Sequence, residues 1–530
     1  MSPYSGNPFS PDSLPDRGRR CAAVIRRSVS EYRASVAAIG SGPDADDRRF
    51  DDPAWDSAGY RWLLRAYFTW RRLVLAAAEV PFLPARHRSE ARFCAQVLTE
   101  AAVPTNSLPG NPAALRRAVA TRGASLARGA GNFLDDLAHR RGRPAKMPPG
   151  SYAVGEDLAV TPGRVVHRDD LVEVLQYEAR TAEVREVPLL LVPAWVNKYY
   201  IYDLAPGRSL VEWAVRQGYT VFAISQRTPL PHHTDVGLDE YFRRVPLRAL
   251  DVVREITGSA RVHLVGVCAG GMLAAATAAW LAAGGDQCVA TLTLLVSALD
   301  QASPDDGDGS GSEARARALT RLLSNREGLV DGGRLGLLFD LLRSRDTVWR
   351  PLAAGWLLGE RPKPFDIVAW SEDWVDVPSV LFGQTLRIAM DNALVRGRLR
   401  LAGRLLDLSS VKQRTFAVAG VRDHIVPWGT VYRGLRHLGG EVAFHLVPSG
   451  HVGSVVNPPR PTAAYRTGSG RLPADPEEWL AAAASHQESW WTAWARWLST
   501  QSGPLVPARA TGSARHPAGS PAPGHHVLAR

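Results

Sequence analysis

The stretch Arg261-Val-His-Leu-Val-Gly-Val-Cys268-Ala-Gly270-Gly271, followed by an alanine-rich run to Gly284, constrains this chain more than any other. It reads as a strand, a sharp turn with Cys268 at its apex, and a helix. Gly266 and Gly270 stand two residues either side of the cysteine. That spacing is what a nucleophile elbow needs: the apex residue sits in a strained turn, and side chains at the flanking positions would collide. Such elbows usually carry serine, so a cysteine there points to thiolate chemistry. The pattern becomes a site only if the rest of the chain supplies a base and an acid.

A chain of 530 residues exceeds what one compact core normally fills, so more than one unit is expected. Residues 1–20 mix Pro, Asp, Ser and Arg and read as disordered, without a secretory signal. Residues 21–150 read as a helical N-terminal domain, with helices at Cys21–Ala38, Ser57–Ala78, Arg88–Ala101 and Pro112–Ala138 and a Pro- and Gly-rich linker from His139. Beyond Gly150 short apolar strands alternate with helices. Strands are expected at Pro188–Val192, Thr220–Ser225, Val262–Gly266, Ala290–Val296, Thr415–Ala419 and Val442–Val447, with helices such as Leu210–Gln217 and Leu238–Thr257 between them. This alternation argues for a mainly parallel sheet covered on both faces, built from residues 151–300 and 411–500. Residues 301–410 read as a cap or lid insertion that opens on a flexible acidic loop, Ser303–Ser312. Residues 501–530, rich in Pro, Gly, Ala and His, read as a disordered tail whose His525 and His526 hold no metal.

Two later segments complete the elbow. Asp423 follows the strand Thr415–Ala419, and His451 follows the strand Val442–Val447. The order nucleophile, acid, histidine, on successive strand–loop junctions, is that of the α/β-hydrolase fold. The expected fold is therefore an α/β-hydrolase core with a helical cap insertion, preceded by an all-helical N-terminal domain. In the expected chemistry His451 takes the Cys268 proton, and Asp423 orients His451 or acts with it on an incoming hydroxyl. The backbone N–H of Ala269, next to the nucleophile, and that of Val196, in the loop after Pro188–Val192, are the candidates for an oxyanion hole. His424, beside the acid, is open between a structural and a catalytic role.

The chain also carries Asp47-Arg-Arg-Phe-Asp-Asp-Pro-Ala-Trp55, Val154-Gly-Glu-Asp-Leu-Ala-Val-Thr-Pro-Gly163, Pro193-Ala-Trp-Val-Asn-Lys-Tyr-Tyr-Ile-Tyr-Asp203, Asp423-His-Ile-Val-Pro-Trp428, Ser449-Gly-His-Val452, Asn457-Pro-Pro459 and a Trp490-Trp491 to Trp497 helix. With Gly266-Val-Cys-Ala-Gly-Gly271, these segments resemble the polyhydroxyalkanoate synthases over about Asp47 to Gly512, and the full N-terminal domain is similar to their single-subunit type. The resemblance implies a cysteine-dependent acyltransferase that polymerises (R)-3-hydroxyacyl-CoA, with Cys268, Asp423 and His451 as its triad. It also implies a cytoplasmic protein at the surface of polyester storage granules, with granule binding or support of a homodimer as the N-terminal domain's work. Four positions depart from the family pattern. Ser225-Gln-Arg-Thr-Pro229 stands where Ser-Trp-Arg-Asn-Pro is usual, Ala194 replaces the second of two prolines, and Met272 replaces a common threonine. Asp300 and Glu372-Asp373 match only loosely.

The alternative on the same fold is a cysteine-nucleophile acyl-CoA thioesterase or polyester hydrolase; a triad-bearing granule-coat protein is the non-enzymatic reading. No cofactor or metal is expected, the CoA thioester being the substrate. The formal charge of +11 rests on scattered arginines without a nucleic-acid motif, so no nucleic acid is expected as a partner. The longest apolar run, Gly270–Gly284, is too short to span a bilayer. Four cysteines without paired spacing (Cys21, Cys94, Cys268 and Cys288) suit a reducing cytoplasm.

Overall fold

The computed structural model describes residues 47–79, 85–301, 312–468 and 470–529, with scattered positions between 30 and 43. The segment 1–20, most of the Cys21–Ala38 helix and nearly all of the acidic loop lie outside the described residues. The chain divides into two compact units.

The larger unit is organised by a ten-stranded sheet. Its strands are β1 (Gly163–Arg168), β2 (Val172–Tyr177), β3 (Leu189–Val192), β4 (Val221–Gln226), β5 (Val262–Val267), β6 (Val289–Leu295), β7 (Arg414–Gly420), β8 (Val442–Val447), β9 (Tyr465–Thr467) and β10 (Ala484–His486). They lie in the order β1-β2-β4-β3-β5-β6-β7-β8-β9-β10. The centre from β4 to β8 is parallel, and both wings are antiparallel. Strands β3, β4 and β5 are buried along their whole length, so they read as continuous apolar runs. Alternate residues of β5 face opposite cores. Val262 and Leu264 pack with the helix Ala269–Ala283, and Val265 and Val267 pack with the helices Leu210–Arg216 and Trp490–Ser499. The helix expected over Leu238–Thr257 runs as Leu238–Phe242 and Arg248–Thr257, with a wider π-turn at Arg243–Leu247 around Pro246, whose missing N–H loosens the helical ladder there.

The C-terminal tail is ordered, which corrects the expectation for residues 501–530. Leu505–Pro507 pairs antiparallel with the short strand Glu183–Arg185. Farther on, Ser520 O accepts from Val165 N–H, while Gly519 and Ala522 donate to Val165 and Gly163 carbonyls, so the tail covers the open edge of β1. Glu173, fully buried on β2, is satisfied by the N–H groups of His525 and His526 and by Arg168. Composition signalled disorder because it registers what the tail contains and not the edge and carboxylate waiting for it.

The smaller unit is helical: Ala58–Ala78, Ala85–Ala101, Pro112–Ala120 and Ala124–Arg140. The expected Pro112–Ala138 helix is broken, because Arg122 (φ 49°) and Gly123 (φ 84°) take left-handed conformations. Residues 343–362 belong to this unit too, so 301–410 is too wide a boundary for the cap. Trp356 is the anchor. Its indole N–H donates to Asp136 at 2.8 Å, its ring meets Phe133 edge-on at 4.9 Å, and its carbonyl approaches Gly129 so closely that a Cβ there would lie 2.0 Å away.

Candidate active site

The elbow is formed as the spacing requires. Cys268 follows β5 at φ 53°, ψ −121°, a conformation that costs an L-residue free energy and holds the side chain up from the sheet edge. Its N–H still bonds the Leu295 carbonyl of β6 at 2.9 Å, so the apex is locked to the neighbouring strand. A Cβ at Gly266 would lie 2.4 Å from the Gly271 Cα, and one at Gly270 would lie 2.2 Å from the Val192 carbonyl oxygen. Both glycines are therefore steric requirements of the turn.

The other members arrive from β7 and β8. Asp423 is held by its own loop, its Oδ1 accepting from the N–H groups of Ile425 and Val426, each at 2.9 Å. Its Oδ2 accepts from Nδ1 of His451 at 2.7 Å, and the Asp423 side chain is fully buried. That hydrogen bond leaves Nε2 of His451 for Cys268, with which the ring also interacts. Burial alone would favour the neutral ring, but Cys268 and Asp423 outweigh it and raise His451 to about 10. The arrangement thus favours the charged imidazolium form of His451.

His451 opens a short helix, His451–Val455. The indole N–H groups of Trp490 and Trp491 donate to the Ser454 and Val455 carbonyls at 2.8 and 3.1 Å, supplying donors to carbonyls that a five-residue helix leaves without intrahelical partners. Ser489, which caps the tryptophan helix, donates to the Asn457 carbonyl.

Ala269 is the first residue of the helix Ala269–Ala283, where backbone N–H groups have no intrahelical acceptor. Val196 lies in the turn after β3. Strand order puts the loop that holds Val196 beside the elbow: β3 lies between β4 and β5, with Val192 opposite Gly266. The chain leaves β3 to add β4 on one side and returns to add β5 on the other. The loop after β3 therefore sits at a topological switch point, where α/β sheets place ligands.

A sequence model described as the poly-beta-hydroxybutyrate polymerase (PhaC) N-terminus matches residues 46–214, and one for the alpha/beta hydrolase fold matches residues 187–458. The poly(3-hydroxyalkanoate) polymerase 1 of Ectopseudomonas oleovorans is 36% identical over 92% of this chain and 87% of its own. The poly(3-hydroxyalkanoate) polymerase subunit PhaC of Cupriavidus necator is 35% identical over 100% of this chain and 91% of its own, and the poly(3-hydroxyalkanoate) polymerase of Methylorubrum extorquens is 34% identical over 96% and 85%. The chain belongs to the poly(3-hydroxyalkanoate) polymerase family. Its fold is that of the α/β hydrolases, as the order of the motifs implied.

Several residues beside this site make contacts that their motifs do not reveal. Tyr202, fully buried, donates its hydroxyl toward the Val192 and Val265 carbonyls at 2.9 and 3.2 Å and so ties the ends of β3 and β5. Lys198, 4% exposed, pairs with Asp373 at 2.9 Å and donates to the Val527 carbonyl of the tail at 2.7 Å. Asp373 also accepts from the Tyr200 hydroxyl at 2.9 Å. Gln226, at the end of β4, contacts the loop after β3. Tyr202, Lys198 and Tyr200 all lie in the quoted Pro193–Asp203 motif; what was missing was their partners, far away in the sequence.

His424 is exposed, whereas Asp423 beside it is buried. Cys288 is buried and its thiol is pushed up to about 12, by burial first and then by Asp286, so it is a poor nucleophile. Outside the site, Asp170, His232 and His233 bring ligand-type atoms within 4.8 Å of one another. His233 Nδ1, however, accepts the Leu230 N–H, which places its proton on Nε2 toward Asp170, and Arg244 pairs with the same carboxylate. That cluster reads as an ion-pair network.

Proposed function

We propose that this chain polymerises (R)-3-hydroxyacyl-CoA into polyester, releasing CoA through an acyl-enzyme on Cys268. The observation that carries the reading is the Cys268–His451–Asp423 line at the sheet rim, whose outer members strengthen His451 as a proton acceptor, in a member of the polymerase family. His451 takes the thiol proton through Nε2, and the thiolate attacks the thioester carbonyl. The oxyanion is met by the N–H groups of Ala269 and Val196. The bond to CoA sulfur breaks, the imidazolium returns its proton to the leaving thiolate, and the acyl group rests on Cys268. The 3-hydroxyl of another unit then loses its proton to His451, with Asp423 stabilising the ring, and attacks the acyl-cysteine; an oxygen ester forms, the bond to the Cys268 sulfur breaks, and the released thiolate faces the imidazolium again.

Cysteine suits this sequence of events. CoA and cysteinyl thioesters are nearly isoenergetic, so loading is reversible, whereas passage to a hydroxyl makes a more stable oxygen ester and drives elongation. The reaction asks for no cofactor beyond the thioester itself.

A granule surface as partner is supported by the smaller unit. On its helix Ala58–Ala78, Trp62 is 71% exposed and Leu73 66% exposed, with Trp70 and the exposed Arg61, Arg65 and Arg72 nearby. Apolar rings bordered by cations suit an interface between water and an apolar surface, and would also suit a homodimer contact. Among the described residues no helix is long and apolar enough to cross a membrane. Purified protein given (R)-3-hydroxybutyryl-CoA is expected to release CoA and form polymer. CoA release with free acid and no polymer would replace this reading with the thioesterase.

A further inference from the structure

Gln226 is the last residue of β4 and is 4% exposed. Buried amides must find partners, and this one finds three. Its NH2 group donates to the Ala194 carbonyl at 3.1 Å and to the Asn197 carbonyl at 3.4 Å. Its Oε1 accepts from the Tyr241 hydroxyl at 2.6 Å. The two carbonyl partners fix which end of the amide faces the loop, because only NH2 can donate to both. Tyr241 is itself buried at 3% exposure, so the network is shut off from water.

The two carbonyls bracket Val196. One belongs to the residue two before it and the other to the residue just after it. The next residue, Lys198, is held from elsewhere: its Nζ by the Val527 carbonyl and Asp373, and its own carbonyl by the Trp370 indole at 2.8 Å. Thr228, two residues beyond Gln226, donates to the Ala529 carbonyl of the same tail at 3.2 Å. Of the two departures from the Ser-Trp-Arg-Asn-Pro pattern, Gln226 thus holds the loop itself and Thr228 holds the tail that Lys198 also contacts.

We infer that Gln226 is a positioning residue for the oxyanion loop, its amide clamping the backbone on both sides of Val196, with Tyr241 locking the amide in its orientation. The inference rests on the reading of Val196 as an oxyanion donor for acyl transfer from CoA to Cys268. Parallel pairing supplies the geometry. β4 and β3 run side by side with Leu191 opposite Ala223, so the end of β4 lies beside the loop that leaves β3 toward the nucleophile. A loop held from beneath by one rigid side chain keeps its N–H fixed as negative charge develops on the substrate, and this lowers the barrier without tightening substrate binding.

The test uses the full-length protein with (R)-3-hydroxybutyryl-CoA and compares wild type with Gln226→Glu, Gln226→Met and Tyr241→Phe. Glutamate keeps the shape but sets a carboxylate against two carbonyls, and methionine removes the donor without burying a charge in case the glutamate variant does not fold. Both are expected to lose roughly 10- to 100-fold in kcat, with KM changed by less than about 3-fold, because a donor is misplaced and not deleted. Tyr241→Phe is expected to lose roughly 3- to 10-fold, since the amide keeps its donors and loses only its lock. Iodoacetamide labelling of Cys268, read on its own peptide because Cys94 is exposed, should proceed at the wild-type rate in all three. A Gln226→Met kcat within about 2-fold of wild type would overturn the inference, as would parallel losses of kcat, Cys268 labelling and melting temperature, which mark a merely structural role. Cys268→Ala in the same assay separates the two readings. Acyl transfer persisting in it would refute the site itself, whereas an inactive Cys268→Ala beside a fully active Gln226→Met would refute the clamp alone.

Discussion

The rim of the sheet and its interior both hold buried histidines, and the two settings act on them in opposite ways. At the rim, His451 lies between Asp423 and Cys268 and is driven toward the charged form. In the interior, His263 on β5 sits between the hydroxyls of Thr291 and Ser502, at 2.8 and 3.0 Å, and burial lowers it to about 3. His445 on β8 stacks on Phe416 at 4.1 Å, and burial lowers it to about 4. Residue type and depth are similar, and the partners differ. An anion on the ring's hydrogen bond makes a base that can carry a proton through a reaction; a hydroxyl or a phenyl ring makes a neutral core residue. The proposed chemistry accordingly lies at the ends of the strands, where loops bring carboxylate and thiol to the imidazole.

The strongest way to break this contrast is to remove the sulfur. Cys268→Ala is expected to abolish polymer formation, a loss of about 10⁴-fold or more, while leaving the circular dichroism spectrum unchanged. Retained activity would move the nucleophile elsewhere. Asp423→Asn removes one of the two groups that distinguish His451 from His263 and is expected to cost about 10²- to 10⁴-fold in turnover. If Asp423 works mainly with the incoming hydroxyl, single-turnover acylation of Cys268, followed by rapid quench, should fall less than elongation. Equal losses in both would contradict that division.

Much of the rim could be read from the chain itself. The central strands are apolar and buried on both faces, so their runs stand out, and Gly266 is required by contacts only a few residues away, at Gly270 and Gly271, whereas Gly270 is required by the distant Val192 carbonyl. The order of Asp423 and His451 after it is a one-dimensional property. The rest was illegible for physical reasons. β1 and β2 mix polar and apolar residues because they pair at the sheet's wing, and β9 and β10 are only three residues each. Lys198 and Asp373 are far apart in sequence, and neither shows its partner. The tail at 519–529 is featureless in composition, and its order comes from the outer edge of β1 and the buried Glu173, to which its backbone groups bond. Gln226 looked like a lost tryptophan, and only the Ala194 and Asn197 carbonyls give its amide a meaning.

The interior histidines predict how the fold fails in acid. Unfolded, each takes a proton near pH 6.5; folded, His263 and His445 resist it down to about 3 and about 4. Their contribution is therefore fully present above pH 6.5 and is lost as pH falls below it, because the unfolded chain binds more protons. Two such groups give a slope approaching ~2.7 kcal/mol per pH unit between about pH 6 and pH 4.5. His451 has the opposite sign: its contribution is complete below pH 6.5 and is lost as pH rises through about 10. Urea unfolding followed from pH 7 to 4.5 should show the acid decline, and His263→Gln should halve its slope. An unchanged slope would mean that His263 is not the neutral core residue described.

The smallest effect expected separates anchors of the rim from anchors of the interior on one helix. Trp490 and Trp491 hold the carbonyls at the end of the short helix that His451 opens, while Trp494 donates to the Thr293 hydroxyl of β6 at 2.9 Å. A change to phenylalanine at any of the three keeps most of the apolar area and deletes one buried donor, so each should cost about 1–3 kcal/mol of stability. Activity should divide them. Freed carbonyls behind His451 let its ring drift from Cys268, and small displacements of a reacting group are costly, so Trp490→Phe and Trp491→Phe should lower kcat by roughly 3- to 10-fold. Trp494→Phe, whose lost bond ties the helix to the middle of the sheet, should keep kcat within about 2-fold at a comparable loss of stability. If all three lower kcat alike, the tryptophan helix supports the sheet as a whole, and His451 owes its position to Asp423 and Cys268 alone.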